Sequence, residues 1–266
     1  MTSLDQLMDM HGSCAVITGA TGGLGKIMSE TLAELGYDLI LVDINKSNLS
    51  SFESVLKEKW CVSIQSLVCD LENELERNKL IYDIKKNNSK ISCLINNAAF
   101  VGASDLDHWI TPFEDQSIEV WRRAIEVNLT AAFHLSQGLL SQLRINKGNI
   151  INITSIYGEF GPDWRLYADT SMGNPAAYGA SKGGLAQFTR WLATTVAPDV
   201  RVNAISPGGV FRDQPELFVK RYENRTPLGR MAKEDDFRGA VAYLASNMSS
   251  YVTGHILRVD GGWGNW

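Results

Sequence analysis

Tyr178 and Lys182 are the two side chains of this sequence whose types and spacing best suit proton transfer. They lie within residues 174–197, a stretch predicted as one long helix, and a separation of four residues places both on the same helical face. An isolated phenol keeps its proton up to about pH 10, whereas an ammonium one helical turn away favours the phenolate and lowers its pKa. Such a tyrosine can act as a general acid–base near neutral pH. The alternative is a pair that only packs on the helix surface.

A glycine-rich turn follows the first predicted strand, residues 14–18. Residues 18–25 read Thr-Gly-Ala-Thr-Gly-Gly-Leu-Gly, and apolar residues at helical spacing follow directly until a stop at Gly36. A strand, a glycine turn and a helix in this order are the context of a dinucleotide-binding fingerprint, in which the backbone approaches a pyrophosphate at the helix N-terminus. A tight turn without a ligand is the alternative.

Asp43 ends the second predicted strand, 18 residues after Gly25. An acid at this place would accept hydrogen bonds from the adenosine ribose hydroxyls and would repel a 2′-phosphate. Ile44 and Gly22 offer no compensating positive charge. NAD is therefore predicted as the cofactor in preference to NADP, with an ordinary turn aspartate as the alternative.

Strands alternate with helices along the whole chain. Strands are predicted at 14–18, 37–42, 62–68, 91–95, 149–153, 200–205 and 255–259, and helices at 24–35, up to about 59, 71–86, 117–143, 174–197 and 234–246. Such alternation is typical of parallel strands joined by crossover helices. We therefore predict an α/β fold in a single domain, residues 1–266, with a Rossmann-like doubly wound parallel sheet of about seven strands and helices on both faces.

Composition and charge exclude several classes of protein. Hydrophobic residues make up 44% and charged residues 21% of the 266 residues, as in globular proteins. The net charge of −5 argues against binding to nucleic acid or to an anionic membrane surface. No signal peptide or membrane span is visible, so a soluble, cytoplasmic protein is expected.

The histidines and cysteines do not suggest a metal site. The four histidines show no ligand spacing, and the four cysteines show no zinc motif. No metal is therefore predicted, and the cysteines are expected to be buried and reduced.

Four motifs occur in a distinctive order: the glycine turn, Asn-Asn-Ala-Ala at 96–99 after a strand, Tyr178-x-x-x-Lys182, and Pro207-Gly208. Together they resemble the short-chain dehydrogenase/reductase family over nearly the whole chain. The resemblance implies NAD(P)-dependent oxidation of CH–OH groups, or reduction of ketones in reverse. It also implies a homodimer or homotetramer with the helices at 117–143 and 175–197 as contact surfaces. The C-terminal residues 259–266 are a further candidate contact.

The resemblance assigns catalytic roles to four residues. Tyr178 would be the general acid–base and Lys182 would lower its pKa and hold the nicotinamide ribose. Ser155 would orient the reacting oxygen, and Asn128 would hold a water that connects the proton to solvent. Without the resemblance, Ser155 would be a cap or turn residue, with Thr154 as the runner-up for its role, and Asn128 would simply face solvent.

The cofactor contacts that the resemblance implies are Thr18, Gly19, Gly23, Leu24, Gly25, Asp43, Asp70, Asn97, Ala98, Tyr178, Lys182, Pro207 and Gly208. Asp70 matches an acid that hydrogen-bonds the adenine, with a helix N-cap as the alternative. Two positions depart from the family pattern. Ala99 stands where glycine is more frequent, and Arg212 stands where a threonine often contacts the cofactor amide.

Two segments beside the predicted catalytic residues are candidates for substrate selection. Ser155 and Tyr178 are separated by 22 residues, more than is usual in the family, and the extra piece at 160–167 is rich in aromatic residues and includes an arginine. A second irregular stretch, 212–230, carries Lys220, Arg221 and Arg225. Aromatic rings and arginines can stack on and clamp a sugar or an anionic, nucleotide-linked substrate. A surface insertion with solvated charges is the alternative.

Residues 155–158, 207–216 and 225–231 also resemble a bacterial branch, similar to flagellin modification protein A, that acts in pathways making surface sugars. This resemblance implies a sugar or nucleotide sugar as the preferred substrate. A 3-oxoacyl thioester and a generic polyol remain alternatives. A non-catalytic dinucleotide sensor is an alternative of a different class.

Overall fold

The computed structural model describes residues 2–87, 90–101, 104 and 106–266. The strands are β1 Cys14–Thr18, β2 Asp38–Asp43, β3 Ile64–Val68, β4 Ile91–Asn96, β5 Asn149–Ile153, β6 Arg201–Pro207 and β7 Ile256–Val259. The helices are α1 Leu4–Met8, α2 Gly23–Glu34, α3 Lys46–Lys59, α4 Glu74–Asn87, α5 Ile118–Ile125, α6 Ala131–Ile145, α7 Trp164–Tyr167, α8 Ala176–Val196, α9 Glu216–Arg225 and α10 Arg238–Ala245.

The strands form one parallel sheet in the order β3-β2-β1-β4-β5-β6-β7. The chain winds from β1 outward to β3 on one side and then from β4 to β7 on the other, so the direction of winding reverses between β1 and β4. Doubly wound sheets bind their ligands at the carboxyl ends of the strands beside such a reversal. The predicted fold class is confirmed, and the reversal places the turn after β1 next to the turn after β4.

Helices cover both faces of this sheet. The strands β1, β4 and β5 are buried at every residue, which explains why their sequences are nearly continuous apolar runs instead of alternating ones. Successive side chains of β1 point to opposite faces. Ile17 packs in the layer that α2, α3 and α10 form, and Val16 packs in the layer of α4, α6 and α8.

The structure differs from the prediction mainly in its helices. The single helix predicted at 117–143 is interrupted by a π-helical turn, Glu126–Thr130, between α5 and α6. The helix predicted at 234–246 begins as a 3-10 turn, Glu234–Phe237, before α10. The sequence analysis also missed α1, α7 and α9. The helices α1 and α7 are shorter than two helical turns, so their sequences show no repeating pattern of apolar residues. The helix α9 depends on the tertiary packing of Phe218 and Tyr222.

The four cysteines are free thiols, but they do not share one environment. Cys14, Cys69 and Cys93 are buried, and burial raises the pKa of each thiol to about 12. Cys61 is exposed, so the expectation of four buried cysteines is wrong for this residue. It lies in a bend between α3 and β3, where the chain turns at the surface.

Over the ranges that the structure describes, no helix is both long and apolar enough to cross a membrane.

Candidate active site

The glycine turn after β1 forms a tight backbone cradle. A side chain at Gly25 would place its Cβ 2.0 Å from the carbonyl oxygen of Gly19, which no real contact allows. Gly19 itself has a φ of +62°, and a Cβ there would lie 2.9 Å from the Cα of Ala98. Both positions therefore require glycine. The turn leads directly into the N-terminus of α2, whose free amide groups favour an anion. A dinucleotide pyrophosphate fits this cradle.

Asn97 and Thr18 tie the turn after β4 to the turn after β1. The Nδ2 group of Asn97 donates to the carbonyl oxygens of Thr18 and Gly19, both at 3.0 Å. The buried Thr18 hydroxyl accepts from the backbone amides of Asn97 at 3.0 Å and Ala98 at 3.1 Å. Thr18, predicted as a cofactor contact, therefore holds the two turns together from inside the protein.

Asp43 reaches the glycine turn from the end of β2. One carboxylate oxygen accepts from the backbone amide of Thr21 at 2.9 Å and from its hydroxyl at 2.8 Å. The other accepts from the backbone amide of Ile44 at 2.8 Å. Asp43 thus fixes the shape of the turn and also lines the cavity. The sequence analysis missed the contribution of Thr21, for which a hydroxyl inside a glycine turn was the available signal.

Ser155 follows β5 and lies beside Tyr178. Its backbone is extended and its hydroxyl accepts from the amide of Tyr157 at 3.2 Å, so Ser155 caps a short 3-10 turn. Hydrogen bonding by this hydroxyl to Tyr178 lowers the pKa of the phenol. The hydroxyl of Thr154 donates instead to the carbonyl oxygen of Ile205 at 3.0 Å. The structure therefore favours Ser155 over Thr154 as the hydroxyl available to a substrate.

Lys182 is buried, with 2% of its surface exposed. Its Nζ donates to the carbonyl oxygen of Ile153 at 2.7 Å and lies 5.9 Å from the centroid of the Tyr178 ring. Burial lowers the pKa of Lys182 to about 7, because the charged ammonium loses its hydration.

The pKa of Tyr178 does not follow the simple pattern expected from the sequence. Burial raises it above the ordinary value, Ser155 lowers it by hydrogen bonding, Tyr167 raises it, and the charge of Arg212 lowers it. The expectation that the neighbouring ammonium of Lys182 lowers this pKa is therefore wrong in this structure. Desolvation is the largest of these effects and outweighs the hydrogen bond of Ser155 and the charge of Arg212.

Asn128 lies in the π-helical turn and is 1% exposed, so it does not face solvent. Its side chain exchanges two hydrogen bonds with the backbone of Phe100, accepting at 2.7 Å and donating at 3.0 Å. It also donates to the hydroxyl of Ser181 at 3.0 Å. These contacts join the segment after β4 to α8 immediately before Lys182. The proton relay through Asn128 stays a prediction.

A cavity of about 800 Å³ connects these groups. Of the predicted residues, the cavity is lined by Gly19, Gly23, Leu24, Gly25, Asp43, Asn97, Ala98, Ser155, Tyr178, Lys182, Pro207 and Gly208. Among the described residues, Thr18, Asp70 and Asn128 do not line it.

Asp70 is engaged in a turn before α4. Its carboxylate accepts from the backbone amide of Glu72 at 2.9 Å. The N-cap at the start of α4 is instead supplied by Asn73, whose side chain accepts from Leu75 and Glu76.

Aromatic side chains form a further part of the cavity wall, which we call the aromatic roof. We define the aromatic roof as Tyr157, Tyr167, Phe218 and Tyr222, which line the cavity and pack in one cluster with the buried Trp263. The hydroxyls of Tyr157 and Tyr167 are hydrogen-bonded to each other at 2.6 Å. Burial raises the pKa of both phenols, so they stay protonated at neutral pH.

Tyr167 belongs to the aromatic insertion predicted beside the site, whereas Tyr157, Phe218 and Tyr222 were not predicted as neighbours of the site. These side chains come from the turn after β5 and from α7 and α9. The aromatic composition of these segments was the only sequence signal for their association.

Comparison with known proteins agrees with this architecture. The model of the enoyl-(acyl carrier protein) reductase group of short-chain dehydrogenases matches residues 19–264. The chain belongs to the short-chain dehydrogenase/reductase family. It is therefore an oxidoreductase whose cofactor is a nicotinamide dinucleotide.

Relatives of this short-chain dehydrogenase/reductase carry different substrate names. A 3-oxoacyl-(acyl-carrier-protein) reductase FabG of Rickettsia felis is 32% identical over 264 residues, covering 96% of this chain and 98% of the relative. A structure from Beutenbergia cavernae is provisionally named an NAD(P)-dependent gluconate 5-dehydrogenase and contains NADP at low occupancy. It is 28% identical to this chain with a TM-score of 0.86, and the match covers 98% of this chain and 100% of the relative. A Leptospira borgpetersenii short-chain dehydrogenase with bound NAD+ is 31% identical with a TM-score of 0.82, covering 99% and 96%.

Proposed function

We propose that this enzyme transfers hydride between NAD and a CH–OH or ketone group of a polyhydroxylated substrate, namely a sugar, sugar acid or nucleotide sugar. One observation carries the proposal. Ser155, Tyr178 and Lys182 line one cavity together with the glycine cradle and the aromatic roof.

Each of these groups has a role that follows from its position. The bound dinucleotide supplies the hydride acceptor in oxidation and the hydride donor in reduction. The Tyr178 phenol exchanges a proton with the substrate oxygen, and the Ser155 hydroxyl orients that oxygen and stabilises charge on it. Lys182 anchors the carboxyl end of β5 through Ile153 and would hold the nicotinamide ribose when the dinucleotide is bound. Asn128 holds α8 in place beside the segment after β4.

NAD is proposed as the preferred cofactor because of Asp43. Asp43 lines the cavity at the end of β2, where its carboxylate would accept from a ribose hydroxyl and repel a 2′-phosphate. Among the described lining residues, the basic side chains are Lys182, which donates to Ile153, and Arg212, which is paired with Glu234. The relative from Leptospira with bound NAD+ supports this assignment, while the NADP-bound relative from Beutenbergia is the reason to test it.

A polyhydroxylated substrate is proposed because of the roof. The phenols of Tyr157 and Tyr167 stay neutral and offer hydroxyl groups on aromatic rings, and Asn174 reaches the Tyr167 hydroxyl at 3.5 Å. Ring faces with hydroxyl and amide groups suit the apolar faces and hydroxyls of a sugar. The name of the Beutenbergia relative supports a sugar acid, and the likeness to the flagellin-modification branch supports a surface sugar.

A 3-oxoacyl thioester is the second candidate substrate. The name of the Rickettsia relative supports it, and Met172, Phe218 and Met231 add an apolar strip to the cavity that would suit an acyl chain. In this case the direction would be reduction, and the groups that handle the proton would be the same.

The deciding experiment is a spectrophotometric panel with two arms. The first follows NADH formation with gluconate, sugar alcohols and nucleotide sugars, and the second follows NADH and NADPH oxidation with acetoacetyl-coenzyme A. We expect turnover in the first arm. The rate should fall by about 100-fold or more in Tyr178→Phe, because general acid–base catalysis typically accelerates a reaction by that factor. Turnover only in the second arm would replace the sugar by a thioester. Cofactor binding without turnover in either arm would identify a sensor.

A homodimer or homotetramer is proposed from the outer faces of α6 and α8. Phe133 on α6 packs against Phe188 on α8 with ring centroids 5.7 Å apart. Phe133 is 43% exposed and Trp191 is 56% exposed on the same pair of helices. Exposed aromatic groups on adjoining helices are typical of subunit contacts. Light scattering with Trp191→Glu tests this, since a monomeric wild type would contradict it.

A further inference from the structure

Arg212 reaches from the loop after β6 across the cavity to the glycine cradle. A Cβ built on Gly23, the first residue of α2, would lie 2.7 Å from Nη2 of Arg212 and 2.9 Å from Oε1 of Glu234. The Nε of Arg212 donates to the same Glu234 oxygen at 3.2 Å. The guanidinium therefore presents one edge to Glu234 and directs its Nη2 toward the start of α2.

The backbone that carries Arg212 is held at several points. Its amide donates to Oε1 of Gln214 at 2.7 Å, and Nε2 of Gln214 donates to the carbonyl oxygen of Val210 at 2.8 Å. The amide of Phe211 donates to the carbonyl oxygen of Ala232 at 2.8 Å. The guanidinium is thus delivered to Gly23 from a fixed loop, although its side chain is 46% exposed.

A guanidinium at this place has an unusual electrostatic setting. The N-terminus of a helix carries partial positive charge and favours anions, so a cation beside Gly23 is unfavourable unless an anion neutralises it. Glu234 supplies one carboxylate, whose Oε1 accepts from Nε of Arg212 and also lies beside Gly23. Nη2 of Arg212 lies beside Gly23, where α2 begins without a side-chain cap, and a guanidinium next to uncapped helix amides suits a phosphate.

We propose that Arg212 binds the diphosphate of the dinucleotide, and that Glu234 is a built-in competitor that weakens this contact. The geometry explains why an arginine can replace the threonine common at this position, since its long side chain spans the cavity from β6 to α2. The proposal depends on the nicotinamide dinucleotide named above, but not on the identity of the substrate.

The test measures binding of ADP-ribose and of adenosine by isothermal titration calorimetry, without substrate or turnover. Arg212→Gln should weaken ADP-ribose binding by about tenfold or more, because a hydrogen bond to a charged group typically contributes that much to affinity. The same variant should leave adenosine binding unchanged. Glu234→Gln should strengthen ADP-ribose binding severalfold. Arg144→Gln on the surface of α6 removes the same charge outside the cavity and should leave both ligands unaffected.

Three results would overturn the proposal. ADP-ribose affinity unchanged in Arg212→Gln would remove the diphosphate contact. Equal losses for ADP-ribose and adenosine would show a distorted loop, and a raised substrate KM with unchanged ADP-ribose affinity would make Arg212 a substrate anchor. A wild type that binds neither ligand would refute the cofactor assignment itself. Failure of every substrate in the panel would leave these binding results valid, so the two proposals fail separately.

Discussion

Replacing Lys182 by methionine separates the cost of burying a charge from the other effects of this residue. Burial lowers the pKa of Lys182 from 10.5 to about 7. Between these two pH values the unfolded chain binds a proton that the folded chain does not, so the stability of the wild type rises with pH across this window. Below about pH 7 both states are protonated, and the penalty for the buried ammonium is fully present. The methionine variant carries no such penalty.

The size of the effect follows from the same pKa values. The stability of the wild type relative to Lys182→Met should increase by about 3 kcal/mol from about pH 6.5 to about pH 9.5, because each pH unit in the window is worth about 1.4 kcal/mol. The variant also leaves the carbonyl oxygen of Ile153 without its donor. That loss costs about 1–2 kcal/mol and is independent of pH.

Urea unfolding of both proteins at a series of pH values, at one protein concentration, measures this difference. Tyr178→Phe keeps Lys182 and is the matched control, so its stability relative to the wild type should show no comparable slope between about pH 7 and about pH 9.5. A flat difference between the wild type and Lys182→Met would refute the reasoning, because it would mean that the ammonium stays charged in the folded protein throughout.

Three further outcomes are expected. Gly25→Ala should weaken NADH binding by about tenfold or more, because its Cβ would lie 2.0 Å from the carbonyl oxygen of Gly19; unchanged binding in a fluorescence titration would contradict the cradle. Asp43→Asn should reduce the preference for NADH over NADPH by about tenfold, measured as a ratio of dissociation constants, since it removes the charge that repels a 2′-phosphate. Arg77→Leu should cost about 3 kcal/mol in urea unfolding, because Arg77 is 2% exposed and paired with Glu126; a cost near zero would show that the pair is not stabilising.

The features that the sequence predicted correctly are those written in local patterns. Buried strands such as Asn149–Ile153 appear as short apolar runs, and the stop of α2 appears as Gly36, which has a φ of +92°. The shared face of Tyr178 and Lys182 follows from helix geometry alone. These patterns were sufficient for the alternation of strands and helices, and the parallel sheet follows from that alternation.

The features that the sequence did not predict depend on residues far apart in the chain. Thr21 meets Asp43 across 22 residues and Asn128 meets Ser181 across 53, and no local pattern records either contact. The π-helical turn inside the helix predicted at 117–143 likewise has no periodic signal.

The sequence by itself determined which chemical groups the cavity contains: glycines at a helix start, an acid at the end of the second strand, and a phenol one turn from an amine. Only the tertiary structure decided their protonation and partners. Folding buries Lys182 and partly buries Tyr178, so desolvation raises the pKa of the phenol, whereas their spacing alone predicts a lower one. Folding also brings Arg212 next to Gly23. Both effects need the assembled sheet and its loops, because only the folded chain excludes solvent and makes contacts between distant residues.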